Sequence, residues 1–254
     1  MTNPEFSNQF DLLVSSYRRF RDFDDREPMD TIEFDEYEKS LFLTKAQEEL
    51  VLSLYNGRNS SLQSFEETEE LRRYLSDLVM EAELSPLTSS SGKPLGIDSR
   101  SKFFSLPSDL WFITYESVGV TGRTCDSSEP MQVVPVTQDE YHRIRKNPFR
   151  GANDRRALRL DLSEGIVEIV CKYEVSEYYV RYLRQLRPII LVDLPNGITI
   201  GHSDSFEGDK ETPCELHEGL HQRILELAVQ MALQSKGVGM SSQPVQRRRD
   251  NNRE

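Results

Sequence analysis

Apolar side chains at Phe6, Phe10, Leu13, Tyr17 and Phe20 recur in alternating steps of four and three and so lie on one helical seam. Asn3 and Pro4 read as an N-cap acceptor followed by a first-position proline, whose missing N–H costs nothing there, so a helix is expected to about Arg21. A seam of about two heptads suits packing on a neighbouring helix better than a coiled coil. After the charged break R-D-F-D-D-R-E-P, Asp30 and Glu33 stand at capping-box spacing and open a second expected helix that runs to Tyr55. Its apolar positions Tyr37, Leu41, Leu43, Ala46, Leu50 and Leu54 cover more than one stripe, and Asn56-Gly57 supplies the left-handed residue that ends it. Ser64 and Glu67 repeat the spacing for a third helix, with Leu71, Leu75, Leu78, Val79 and Ala82 inward. Glu66, Glu67, Glu69 and Glu70 in its first turn complement the helix dipole.

The period then shortens. Residues 85–101, S-P-L-T-S-S-S-G-K-P-L-G-I-D-S-R-S, are rich in turn formers and mark an exposed loop or linker between a helical region, 1–84, and a β-rich domain, 102–236. Strands are expected at K-F-F-S-L before Pro107, from Leu110, around Val134, from Ala157, from Ile166, from Tyr178, at I-I-L-V-D-L from Ile189 and at I-T-I from Ile198. Tyr178, Val180 and Tyr182 alternate with Tyr179, Arg181 and Leu183, the pattern of an antiparallel sheet with one face less buried than the other. Thr137 and Glu140 cap a short helix to about Lys146. The loop 147–153, N-P-F-R-G-A-N, has breakers at both ends around Phe149, which is expected to tuck under the loop, the alternative being an offer to a partner. A closing amphipathic helix from about His217 to Gln234 carries Leu220, Ile224, Leu227, Ala228 and Met231, packs on the sheet or on the N-terminal helices, and ends at Gly237. The tail 237–254 has too little apolar content to fold alone. The expected class is α+β: N-terminal helices, an antiparallel β-rich middle, a C-terminal helix and an extended tail.

Charge narrows the functional classes. With 31 Lys and Arg against 43 Asp and Glu, the net charge of −12 argues against a general nucleic-acid binder, whose affinity comes from clustered cations. No apolar run approaches the ~20 residues that span a bilayer, and Met1 to Asp11 has no basic or apolar leader pattern, so a product made in the cytosol without a membrane association is expected. Cys125, Cys171 and Cys214 are odd in number and widely spaced, which suits a reducing compartment and no nucleophilic role.

His217-Glu218-Gly219-Leu220-His221 matches H-E-x-x-H, which on one helix holds zinc between two imidazoles with the glutamate as general base. His217 falls at the helix start, no histidine follows His221, and Ile224 and Leu227 occupy the places of the extended motif's glycine and third histidine. A structural site from Cys214, His217 and His221 lacks a fourth ligand. A zinc-dependent hydrolase is therefore the alternative rather than the main reading, and no metal or cofactor is expected. His142 and His202 are isolated, and neither the phosphate-binding nor the nucleophile-elbow glycine motifs occur. Arg247, Arg248 and Arg249 form a basic run, either a solvated end or an arm that docks on an acidic neighbour or a phosphate.

The segments P-V-T-Q-D-E-Y-H-R, N-P-F-R-G, Y-Y-V-R-Y-L-R…P-I-I-L and C-E-L-H…L-H-Q-R-I-L-E-L-A-V, with F-D-E-Y-E-K-S-L-F-L-T-K-A-Q-E-E-L-V-L-S-L-Y-N-G before them, resemble a virion structural protein of crAss-like bacteriophages, tailed phages that infect Bacteroides. The resemblance covers most of the chain from Phe34 to Ala232. It implies a ring-forming, non-enzymatic component of the head-to-tail connector, an adaptor or collar by the portal, with twelve copies to match portal symmetry. The implied partners are other copies, the portal and neighbouring neck or tail rings, with DNA passing through the lumen without sequence-specific contacts. Phe149, in the alternative to its tucked position, and Arg247, Arg248 and Arg249 are the candidate partner-docking residues, alongside the aromatic N-terminal seam and a sheet edge.

Overall fold

A computed structural model of the chain describes residues 1–19, 33–57, 68–87, 96–122, 129–163, 165–195, 198–200 and 210–236. The fold is α+β, and the chain divides into two compact units, one of Met1–Tyr74 with the described residues from Arg187 onward, the other of Leu75–Leu186.

The first unit is helical. It contains α1 (Asn3–Arg19), α2 (Glu36–Tyr55), most of α3 (Glu69–Leu75) and α5 (His221–Ser235). On α1 the buried seam is Phe6, Phe10 and Val14, with Leu13 displaced to the flank. Asn3 is no cap. It is the first helical residue, is buried, and donates from Nδ2 to the Ile190 carbonyl at 3.0 Å and to Glu211 at 3.0 Å. The second helix begins later than the Asp30 and Glu33 spacing suggests, because Asp35 and Glu38 form a complete capping box: Asp35 accepts from Glu38 N at 2.6 Å and Glu38 from Asp35 N at 3.3 Å. Asp30, like Ser64 and Glu67, lies outside the described residues.

Lys39 on α2 is almost fully buried and ties this helix to α1, bonding Ser7 Oγ at 3.1 Å, Asp11 at 2.7 Å and Glu36 at 2.9 Å. Burial alone would lower its pKa, but the two carboxylates outweigh that and the net shift is upward.

Another stripe of α2 corrects a strand assignment. Ile189 to Leu191 is buried but joins no sheet, apart from an isolated Ile190 to Thr212 bridge. Its backbone is satisfied by polar side chains at helical spacing: Gln47 donates to the Arg187 carbonyl at 2.8 Å, Thr44 Oγ1 accepts from Ile189 N at 3.1 Å, and Ser40 Oγ accepts from Leu191 N at 3.0 Å. An apolar run can therefore be buried and extended without pairing, provided its N–H and C=O groups find such partners. Residues 198–200 form no strand either. The apolar side of α5, Ile224, Leu225, Ala228, Val229, Ala232 and Leu233, completes this core.

The second unit is built on a seven-stranded sheet in the order β1-β7-β3-β4-β5-β6-β2. The strands are β1 (Val79–Leu84), β2 (Ser101–Ser105), β3 (Leu110–Thr121), β4 (Met131–Pro135), β5 (Arg156–Asp161), β6 (Ile166–Val170) and β7 (Glu174–Arg184). The third helix is shorter than expected: α3 stops at Leu75, a single 3-10 turn covers Ser76–Leu78, and the chain enters β1. Leu75, Leu78, Val79 and Ala82 fit helical spacing, but Ala82 and Leu84 also alternate with Glu81 and Glu83, and pairing with β7 selects the two-residue period.

The sheet is mixed rather than wholly antiparallel. β4 and β5 run parallel, Val133 opposite Ala157, since the intervening chain with α4 (Gln138–Ile144) is a crossover long enough to bring β5 back in the same direction. α4 covers part of the outer face through Tyr141 and Ile144 on Leu158, Leu160 and Val170. The inner face carries Phe104, Val118, Met131, Ile169, Tyr178 and Val180. Phe104 on edge strand β2 meets Tyr178 on β7, near the other edge, with ring centres 5.3 Å apart, so the sheet curls on itself around this core. At one end of the interior Arg159 sits between Glu116, both of whose oxygens are 2.9 Å from Nη1, and Asp161. Of the expected loop, 88–95 lie outside the described residues, Ile97 N donates to Glu168 at 2.7 Å, and Ser101 already opens β2.

Candidate assembly surfaces

The H-E-x-x-H segment does not form a ligand pair. His217 precedes a single 3-10 turn, Glu218–Leu220, and α5 begins only at His221, so the helical geometry behind the motif is absent. His217 Nδ1 accepts from Gly219 N at 3.1 Å, and its ring lies 5.4 Å from that of Tyr74. His221 is 5% exposed and uses both nitrogens: Nε2–H donates to the Leu216 carbonyl at 2.9 Å, and Nδ1 accepts from the Met1 ammonium at 2.7 Å. The one lone pair of its neutral ring is spent, and its face packs on Phe6, ring centres 5.4 Å apart. Among the described residues no cluster of histidine, cysteine and carboxylate can hold a metal. The zinc hydrolase alternative fails on this geometry. Cys214 Sγ donates to Gln47 Oε1 at 3.5 Å and burial pushes its thiol up to about 11, while Cys171 is buried beside Met131. Cys125 and His202 lie outside the described residues.

Burial lowers the His221 pKa, with the Met1 ammonium acting in the same direction and the Leu216 carbonyl against it. Because the folded value lies below the free-imidazole value of ~6.5, stability from the neutral ring is complete above that value and is lost as pH falls through the folded one. Urea unfolding midpoints should therefore fall between about pH 7 and pH 5, and less so in His221→Gln. An equal decline in both proteins would contradict the assignment.

The loop after α4 departs from expectation. Phe149 is not tucked under it but stands 84% exposed. The loop holds that position by its own bonds: Asn147 Oδ1 accepts from Phe149 N at 2.9 Å and Arg150 N at 3.3 Å, Asn147 O accepts from Gly151 N at 2.7 Å, and Arg156 Nη1 donates to the Phe149 carbonyl at 3.2 Å. A Cβ at Gly151 would stand 2.8 Å from Asn147 O and 2.9 Å from Ile144 O, so only glycine closes the turn. Arg143, Arg145, Lys146, Arg150 and Arg155 are exposed around it. The one-letter sequence hides this basic patch because its cations are interrupted by Ile144 and by the loop itself.

On the outer face of β1, β7 and β3 lies an open groove of about 540 Å³, lined by Glu83, Tyr115, Gly119, Glu129, Glu177 and Tyr179. The Tyr115 and Tyr179 rings meet edge to face, centres 6.2 Å apart, and Tyr115 is 49% exposed. Glu83 and Glu177 are exposed and have no ion-pair partner among the described residues. A Cβ at Gly119 would come within 3.3 Å of Ser176 Oγ and 3.5 Å of Glu177 Oε2, so glycine keeps the floor of the groove low. The alternation in β7 marks this face as the less buried one but does not reveal the groove, which needs β1 and β3 beside it. Arg247, Arg248 and Arg249 lie outside the described residues.

Residues 1–243 match the family described as phage tail ring protein 3/4, and the chain belongs to that family. It is 45% identical over 239 residues to "Ring protein 3" of Bacteroides phage crAss001, covering 93% of this chain and 96% of that protein. It is also 28% identical over 237 residues to "Ring protein 4/5" of the same phage, covering 90% of each. The chain is thus a structural ring protein of a crAss-like phage virion.

Proposed function

We propose that the chain forms a closed ring of twelve copies in the head-to-tail connector, close to the portal, through whose lumen the genome passes during ejection. The observation that carries this reading is the near full-length likeness to two ring proteins of one phage. Portal-matched symmetry supplies the number twelve. The net charge of −12 suits a passage for DNA, because an acidic wall repels phosphates and gives no sites to hold them. Neighbouring rings of the stack and the portal are the proposed partners, with Arg247, Arg248 and Arg249 as a further docking element. The protein needs no metal, cofactor or catalytic residue for this role.

Native mass spectrometry of the purified full chain tests the stoichiometry. The expected species is about 353 kDa, twelve times the 29.4 kDa of one chain. A closed ring of another number would overturn twelve, and a chain that remains monomeric at every concentration would overturn the ring.

A further inference from the structure

A closed ring needs two different surfaces on each copy, one to give and one to receive. We infer that the Phe149 loop of one copy docks in the groove between Glu83, Tyr115, Glu177 and Tyr179 of the next copy; this rests on the ring reading above and names the contact that closes it.

Both surfaces belong to the same compact unit, the loop in the β4 to β5 crossover and the groove on β1, β7 and β3, so each copy carries one of each. The loop is prepared for binding. Its hydrogen bonds fix the backbone at Phe149 before any partner arrives, so little backbone ordering remains to oppose association. An aromatic anchor flanked by arginine is the chemistry that dominates protein interfaces.

Charge selects the occupant. Residues 142–156 hold six cations, Arg143, Arg145, Lys146, Arg150, Arg155 and Arg156, against one carboxylate, in a chain whose net charge is −12. The one carboxylate, Asp154, is already engaged by Lys172 at 2.6 Å. The groove offers the complement: exposed carboxylates at Glu83 and Glu177 beside two tyrosine rings, whose faces attract a guanidinium as well as a phenyl ring. DNA would use the cations but leaves the acidic groove empty.

Two full-length variants separate the surfaces without adding complementary charge to both. Phe149→Ala with Arg150→Ala removes the giving surface; Glu83→Lys with Glu177→Lys closes the receiving one by like-charge repulsion. All four sites are exposed, so circular dichroism and the urea midpoint should match the unsubstituted protein. In sedimentation, each variant alone should associate at least about tenfold more weakly than the unsubstituted ring. Mixed together, they should form one-to-one dimers and nothing larger, because each pair retains one intact contact. Variants that still form complete rings would overturn this contact while leaving the ring reading intact, and variants that fail to pair when mixed would also overturn it. An unsubstituted chain that never associates would take both readings down. Retention of duplex DNA at physiological salt that is lost on Arg145→Glu with Arg150→Glu would assign the patch to DNA and overturn the proposal.

Discussion

Glu116→Ala is expected to cost about 3–5 kcal/mol of folding stability, because it leaves a buried arginine without its main counter-charge. Arg159 is 9% exposed, and both Glu116 oxygens lie 2.9 Å from its Nη1, one of them also accepting from the Tyr178 hydroxyl at 2.7 Å. Asp161 is a weak substitute. Its carboxylate is 67% exposed, and although one oxygen lies 2.9 Å from Arg159 Nε, that N–H makes no hydrogen bond. The short distance is therefore charge proximity, and the bond that does form, from Nη2 to Asp161, is 3.4 Å long. Burial alone would lower the Arg159 pKa, but Glu116 leads the carboxylates that outweigh it, and the net shift is upward. The Tyr178 phenol moves up for the matching reason, burial first and then the Glu116 charge. Replacing both partners, Glu116→Leu with Arg159→Met, should recover most of the loss, since a buried ion pair is seldom more stable than a well-packed apolar one. Urea midpoints measure both. A single-variant loss below about 1 kcal/mol would mean that water reaches this end of the curled sheet.

Phe104→Ala should be comparably severe, about 3–5 kcal/mol, through lost transfer energy and the cavity left behind. Phe104 is fully buried on the edge strand β2 and makes the ring contact with Tyr178 on β7, next to the opposite edge strand, where the sheet curls on itself. The damage should appear first as faster amide exchange in Lys102 to Ser105, whose strand among the described residues is an edge strand paired with β6. Phe149→Ala supplies the contrast. It removes the same atoms from an 84% exposed site and should change stability by no more than about 0.5 kcal/mol. Similar losses in the two proteins would contradict the assignment of Phe104 to the core and Phe149 to a docking surface.

Local signals carried the helices and most strands. The α2 helix, the Thr137 cap of α4, which accepts from Glu140 N at 3.3 Å, and the alternation of β7 follow from residues near one another in sequence. The failures required distant partners. Val79–Leu84 fits either period until β7 is placed beside it, and Ile189 to Leu191 reads as a strand until Ser40, Thr44 and Gln47 take up its backbone groups. The parallel pair of β4 and β5 depends on the crossover rather than on either strand's composition. The H-E-x-x-H match was legible but misleading, since the letters do not show that α5 begins at its last residue. Phe149 was recognisable as an odd apolar residue in a polar loop. Its direction was not, because it is set by the Asn147 bonds and by the lack of room at Gly151. The groove was the least legible feature, being made of single residues from several strands.

The most direct test of the ring assignment is a cryo-electron microscopy reconstruction of the virion. It should show this chain as a closed ring of twelve in the neck, with residues 147–153 of each copy against Glu83 and Glu177 of the next. Density for the chain only in a tail fibre or inside the capsid, or its absence from particles, would contradict the assignment.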